Sequence, residues 1–377
     1  MALPAPETAL AVATDLMGLV PASRSAGAPS ARFSVVSFRG RPRFLLPRGW
    51  PAATQAACLS YLGLRDRTAR FTRRTMALGL RTGALERGGA ARTGTIDHYE
   101  GDATADGLVA HLARFLGQPE VAVAVGLGVV DAVWKPTLHV FAPDGTPLAF
   151  VKVGRGPVAA ALVARETAAL RQGASHPDPR LVVANLMGST TWRGLAMVAV
   201  APLPTDARRL PGPVSAWPVR TLDDPVPDGP LGRAAWWANH QRAAGTDGDA
   251  GLEKLLQSIE DRHGGEDHAW ARWHGDWVPW NQARCHLGLV AWDWEYSEPG
   301  APVGLDEVHG RYQLLRVGQR RPVAEALAAA RAIAPSPWVA DAHLAMLLTR
   351  DADLARLGGR PSVDAGEIRI AADGLLR

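Results

Sequence analysis

Residues 273–295 read WHGDWVPWNQARCHLGLVAWDWE and bring several oxygen donors together at short spacing. His274, Gly275 and Asp276 come first, Asn281 follows five positions after the Asp, and Asp293 stands beyond a strand–turn–strand pattern. Phosphoryl transfer needs few side chains. One carboxylate must orient the attacking hydroxyl and accept its proton, and a Mg²⁺ ion needs hard oxygen ligands, which a second carboxylate and an Asn amide oxygen can supply. LVAW (289–292) is a β-rich run that ends at Asp293, so a hairpin returns this second Asp towards the loop that carries the first. Asp and Asn also cap turns in many loops. Turn capping alone, however, leaves the combination and its spacing unexplained.

HGDWVPWN (274–281) resembles the catalytic loop of aminoglycoside phosphotransferases, choline kinases and related small-molecule kinases. AWDWE (291–295) resembles their metal-binding segment, which stands where protein kinases carry DFG. The resemblance spans roughly residues 108–350 and implies Asp276 as catalytic base, Asn281 and Asp293 as metal ligands, and His274 as support for the loop. It implies ATP or another nucleoside triphosphate and Mg²⁺ as cofactors. Such a fold also needs a Lys on its third strand to hold the α and β phosphates, paired with a Glu on the next helix. Lys152, in PLAFVKV, is one of only three lysines in the chain, and Glu166 follows fourteen residues later in RETAAL. Gly126 and Gly128 lie where a nucleotide-covering loop would sit, although glycines there also serve a plain tight turn. VAVAPLP (198–204) resembles the hinge that meets the adenine. A protein kinase is not indicated, because Gly275 rather than Arg precedes Asp276 and neither DFG nor APE occurs. Asp306, in GAPVGLDEVHG (300–310), reads as a residue that starts a helix or braces a loop.

The elements expected to position these residues form an α+β, two-lobed, protein-kinase-like fold. An N-lobe of 106–202 is expected to carry five antiparallel strands (121–127, 136–142, 147–153, 181–186 and 194–200) and one helix over 157–173. Asp144-Gly145 between the second and third runs is a hairpin signal. A mainly helical C-lobe of 203–377 follows, with helices over 231–243, 250–263, 321–334 and 338–356. Residues 202–230, dense in Pro, Asp and Gly, read as a connector. Residues 1–105 stand as an N-terminal extension of unassigned role, with strand-like FSVVSF (33–38) and RFLLP (43–47) and a helical pattern from Pro51 to about Leu85.

The 377 residues carry a net charge of +4, distributed unevenly. The first hundred hold fourteen Arg against six acidic residues, about +8, so the remainder is mildly acidic. A basic arm of this kind suits nucleic acid or an acidic partner. With no base-reading motif, a genome that favours Arg over Lys accounts for it more simply, and nucleic acid ranks last among the partners. Two distant cysteines, Cys58 and Cys285, indicate neither a disulfide framework nor a CxxC zinc pair. No signal peptide or membrane span is expected, and the default compartment is cytoplasmic. The expected partner is a small molecule with a hydroxyl acceptor, such as a sugar, amino sugar or aminoglycoside. Trp277, Trp280 and Glu295 are candidates to contact it, since Trp can stack on a sugar or hold a cation. Packing of the loop and a solvated acidic face are the plainer readings of the same residues. Trp236, Trp237 and His240 share a helix that could line the same cleft, one of the two tryptophans being core. The competing functional class is an inactive relative that binds nucleotide and acts as a scaffold or regulator. Retention of Lys152, Glu166, Asp276, Asn281 and Asp293 gives that class no support.

Overall fold

A computed structural model of the chain describes residues 8–21, 31–38, 41–60, 67–82, 96–101, 106–127, 133–175, 181–204, 206–210, 229–231 and 234–376. The chain divides into two compact units, Met1–Val163 with Asn185–Thr205, and Ala164–Ala184 with Asp206–Arg377.

The first unit is built on one antiparallel sheet. Its strands are β1 (Leu19–Pro21), β2 (Ala31–Phe38), β3 (Arg41–Arg48), β4 (Ile96–Gly101), β5 (Ala122–Gly126), β6 (Thr137–Phe141) and β7 (Pro147–Gly154), followed after β8 (Leu181–Val183) by β9 (Leu186–Trp192) and β10 (Leu195–Val200). The order in the sheet is β1-β4-β2-β3-β5-β6-β7-β10-β9, nine strands in all. The five-strand expectation is therefore corrected in two ways. Strands from the first hundred residues extend the sheet, joined through Phe44↔Gly126 and Leu45↔Val125. LVVANL is also not one strand of this sheet: β8 pairs in parallel with a strand of the second unit, and the chain re-enters the first sheet only at Leu186.

The largely apolar runs of the central strands, broken by His139 on β6 and Lys152 on β7, follow from cover on both faces. One face packs Val123, Val125, Leu138, Val151 and Met197 against α1 (Ala9–Leu16) and α4 (Leu108–Phe115). The other packs Ala122, Ala124 and Phe141 with Leu46 and with Cys58 of α2 (Ala52–Ser60). A third helix, α3 (Arg67–Arg81), follows α2 among the described residues of the N-terminal segment. The helical pattern expected from Pro51 to about Leu85 thus falls into α2 and α3, and Tyr61 and Leu64 lie outside the described residues.

The Asp144-Gly145 turn forms as expected. Gly145 has φ +89°, and Asp144 accepts the Thr146 amide at 2.8 Å. Downstream, a Cβ on Gly154 would meet Ala160 Cα at 2.6 Å, so only glycine lets β7 turn directly into α5 (Gly156–Ser175).

The second unit is mainly helical. α6 (Ala235–Asp247), α7 (Ala250–His263), α8 (Leu305–Gln313), α9 (Val323–Arg331) and α11 (Ala365–Leu375) contribute to a core with α10 (Pro337–Arg356). Helix α10 is apolar almost all round, from Trp338 to Leu348, as a central helix must be. Trp237 and Trp338 meet edge to face at 5.6 Å, both buried. Buried Asp341 of α10 accepts from Arg262 of α7 at 3.1 Å and Arg331 of α9 at 2.8 Å, tying three helices. Short strands complete the unit. β11 (Arg208–Arg209), β15 (Gln282–Cys285), β16 (Gly288–Ala291) and β8 form one sheet, β12 (Gly229–Pro230) pairs with β13 (Asp267–His268), and β14 (Trp270–Trp273) pairs with β17 (Glu298–Pro302).

The core assignment has a direct test in urea unfolding. Trp237→Ala should cost about 3–5 kcal/mol, as large-to-small changes at a fully buried aromatic do. Val363→Ala, at a residue 95% exposed, should stay within about 0.5 kcal/mol.

Candidate functional site

The elements of the second unit converge on the loop between β14 and β15. Strand β14 delivers the chain to His274, and a 3₁₀ turn at Pro279–Asn281 leads into β15. The hairpin β15–β16 keeps the register Gln282↔Ala291, and Trp292 N–H donates to Asn281 O at 3.2 Å. Asn281 and Asp293 therefore leave the two arms of one hairpin side by side, as the sequence pattern anticipates. Asp293 has φ +65°, a left-handed conformation that a non-glycine residue adopts at a cost and that tends to mark functional positions.

The loop is held from below by Asp306, in the first turn of α8. Its two carboxylate oxygens accept the amides of His274 (2.7 Å) and Gly275 (2.9 Å). Gly275 has φ +84°, and a Cβ there would stand 2.3 Å from Tyr296 O, so no other residue fits. Gly310 on α8 comes equally close: a Cβ there would lie 2.5 Å from Trp277 O. His274 is fully buried, and its ring is fixed by two backbone partners. Asp276 N–H donates to Nδ1 at 3.2 Å, so Nδ1 accepts and the proton sits on Nε2, which donates to Trp292 O at 2.9 Å. One imidazole thus links the loop to the hairpin arm that carries Asp293.

Asn281 donates through Nδ2 to the Asp276 carboxylate at 2.7 Å and to Asp276 O at 3.2 Å. This commits the amide nitrogen and leaves Oδ1 as the side chain's acceptor. Burial pushes the Asp276 carboxyl up to about 7; Arg350 opposes the shift, Asp293 and Glu295 add to it, and the Asn281 hydrogen bond opposes it. Burial likewise raises Asp306 to about 6, against the pull of its two amide donors and Arg350.

Arg350 of α10 was not singled out from the sequence. Its Nη2 donates to Gly275 O at 2.8 Å, and its guanidinium lies over the rings of Tyr296 (4.3 Å) and Trp273 (4.7 Å). Its Nη1 donates to His309 Nε2 at 3.2 Å, so the His309 proton sits on Nδ1, 3.2 Å from His343 Nε2. Burial and the neighbouring Arg350 hold His309 well below its ordinary value and bring His343 down to about 3, which keeps both rings neutral beside the guanidinium. The available signal was His343 and Arg350 seven residues apart on one face of a helix whose first half is mostly apolar.

The remaining anticipated residues fall as follows. Lys152 is in the first unit, on β7 between Thr137 and Val198, and is 9% exposed. Glu166 lies on α5 in the second unit and is 2% exposed. Gly126 ends β5 with room for a Cβ, its nearest contact being His139 at 3.9 Å; Gly128 lies outside the described residues. Trp277 is buried against His274, with ring centroids 5.4 Å apart, so it packs the loop, the plainer of its two readings. Trp280 is half-open to solvent, and Glu295 is buried. Trp236 and Trp237 are both buried, which corrects the assignment of only one to the core. Trp236 Nε1 donates to Glu298 at 2.8 Å, and His240 Nε2 lies 3.8 Å from the same carboxylate.

No protein-family model matches the chain, and no curated protein matches it. Among solved structures it is similar to "Amicoumacin kinase hAmiN in complex with AMP-PNP, Ca2+ and Ami", at 12% identity over 72% of this chain and 94% of that chain, with a TM-score of 0.43.

A carboxyl raised by burial binds protons in the folded state that the unfolded chain has already released. Its stabilising contribution is complete below the unfolded value of 3.8 and is lost as pH rises through about 7. Asp276→Asn should therefore gain stability relative to the parent between pH 5 and pH 8 in urea titrations, the difference growing with pH. An equal offset at both pH values would contradict the assignment. Gly275→Ala should unfold the loop or the whole unit, whereas Gly126→Ala should be tolerated.

Proposed function

We propose that the chain transfers the γ-phosphate of a nucleoside triphosphate to a hydroxyl group of a small molecule. The observation that carries this reading is the Asp276–Asn281 pair: a carboxylate tuned towards neutral pH and held by an amide nitrogen, in a loop whose following hairpin returns the chain to Asp293. Asp276 orients the acceptor hydroxyl and takes its proton as the new O–P bond forms and the bond to the leaving diphosphate breaks. A pKa near 7 suits both halves of that task, since the group is ionised when the acceptor arrives and basic enough to hold the proton.

The donor set suits a hard divalent cation. Asn281 Oδ1 and the Asp293 carboxylate are oxygen ligands of the kind Mg²⁺ takes, and they would hold it. When bound, the ion neutralises charge on the phosphates. Lys152 is assigned to the α and β phosphates on the sequence resemblance, and Glu166 keeps the supporting role that the resemblance implies. Arg350 and Asp306 act as positioning residues: neither meets substrate in this scheme, and both hold the loop backbone from beneath. The exposed ring of Trp280 favours an acceptor with ring or cationic character, such as an amino sugar.

Release of ADP from Mg-ATP should depend on the acceptor across a panel of sugars, amino sugars, aminoglycosides, choline and nucleosides. Asp276→Ala should lower it by about 10²–10⁴-fold, the range typical of a lost general base, while nucleotide binding survives. Asp293→Ala should also weaken Mg-dependent nucleotide binding. The rate should fall as pH drops through about 7 and Asp276 takes up a proton, and Arg350→Met should move that inflection upward. Full turnover by Asp276→Ala would remove the assignment of the base. Nucleotide binding without turnover on any acceptor would favour a scaffold.

A further inference from the structure

A second group of donors lies at the tip of the β15–β16 hairpin. One ligand atom from each of Asp206, Cys285 and His286 falls within 4.8 Å of the others. The backbone brings them there. Strand β11 pairs with β15 through Arg208↔Arg284 and Arg209↔Ala283, and continuing that register places Asp206 opposite His286. Asp206 accepts from both the amide (2.7 Å) and Nδ1 (2.9 Å) of His286. Neighbouring residues on a strand point to opposite faces, but Cys285 ends β15 and His286 opens the turn, which lets both side chains converge.

We infer that Asp206, Cys285 and His286 form a binding site for a divalent transition-metal ion, of which zinc is the best-suited example. A thiolate, an imidazole and a carboxylate together match a borderline-soft ion and disfavour Mg²⁺ and Ca²⁺, which seek oxygen alone. Three protein ligands leave a fourth tetrahedral position for water or an outside donor. Closing the three atoms onto one ion requires shifts of about 1 Å from their present spread, within reach of rotatable side chains at an exposed turn. The His286 side chain is 68% exposed and that of Asp206 41%, so the ion reaches the site from solvent. An ion here would clamp the segment before β11 to the hairpin whose other end carries Asn281 and Asp293. The site is distinct in chemistry from the oxygen donors proposed for Mg²⁺ and does not depend on that proposal. The other cysteine cannot substitute: Cys58 is buried, and its thiol is pushed up to about 12.

Titration of the full chain with Co²⁺ in the presence of excess Mg²⁺ gives the test, because a cobalt–thiolate bond has its own near-ultraviolet charge-transfer absorption. The expected result is saturation at one equivalent, with the band lost in Cys285→Ser and kept in Cys58→Ser. His286→Ala, at an exposed turn where folding is not at stake, should weaken binding at least about tenfold, as loss of a metal-supporting residue does. Absence of the band in the parent, its survival in Cys285→Ser, or unchanged affinity in His286→Ala would each overturn the inference.

Discussion

Two hydrogen bonds from backbone amides to a single buried carboxylate hold the candidate site together. Asp306 accepts from His274 and Gly275 at 2.7 and 2.9 Å, and this sets the path of the loop before any reactive group is placed. A buried carboxylate is costly unless satisfied, and two amide donors satisfy it at the spot where the loop would otherwise leave them orphaned. The glycines follow from the same closeness. Gly275 passes under Tyr296 O, and Gly310 lets α8 approach Trp277 O, so a side chain at either would push the helix and the loop apart. With the loop fixed, His274 and Asn281 have one geometry each, and Asp276 inherits its direction from both.

The electrostatics have the same economy. Asp276, Asp293, Glu295 and Asp306 bring four acidic groups into a small region, and burial raises Asp276 and Asp306. One half-buried cation, Arg350, opposes both shifts. The neutral His309–His343 pair accepts a second donor of the guanidinium without adding charge, so the guanidinium acts on the acids and not on its own support. Burial alone would push Asp276 further up, and a stronger cation or a second one would pull it back towards an ordinary carboxylate.

Short-range features of this chain were plain in its sequence. The spacing of Asp276, Asn281 and Asp293 anticipated a loop followed by a returning hairpin, the Asp144-Gly145 turn formed where expected, and helix 250–263 matched to the residue. The Asp306 bracing role was also legible, because its position at the start of a helix leaves few other tasks. What escaped notice was long-range. The nine-stranded sheet depends on Phe44 meeting Gly126, a pairing that no local pattern encodes. LVVANL is apolar throughout, and nothing in it signals that the chain changes sheets after Val183. Arg350 contacts Gly275 across 75 residues, and its importance lies in that contact, which sequence position does not disclose. Burial of both Trp236 and Trp237, and of Trp277 within the loop, belongs to the same category.

The central claim is that the second unit tunes one carboxylate, Asp276, to change charge near neutral pH. Titrating its side-chain carboxyl carbon by NMR, with Asp276→Asn used to assign the resonance, tests this without knowledge of the acceptor. The account predicts a midpoint near about 7 that moves down in Asp293→Asn and up in Arg350→Met. A midpoint close to the ordinary value of 3.8, indifferent to both substitutions, would contradict it.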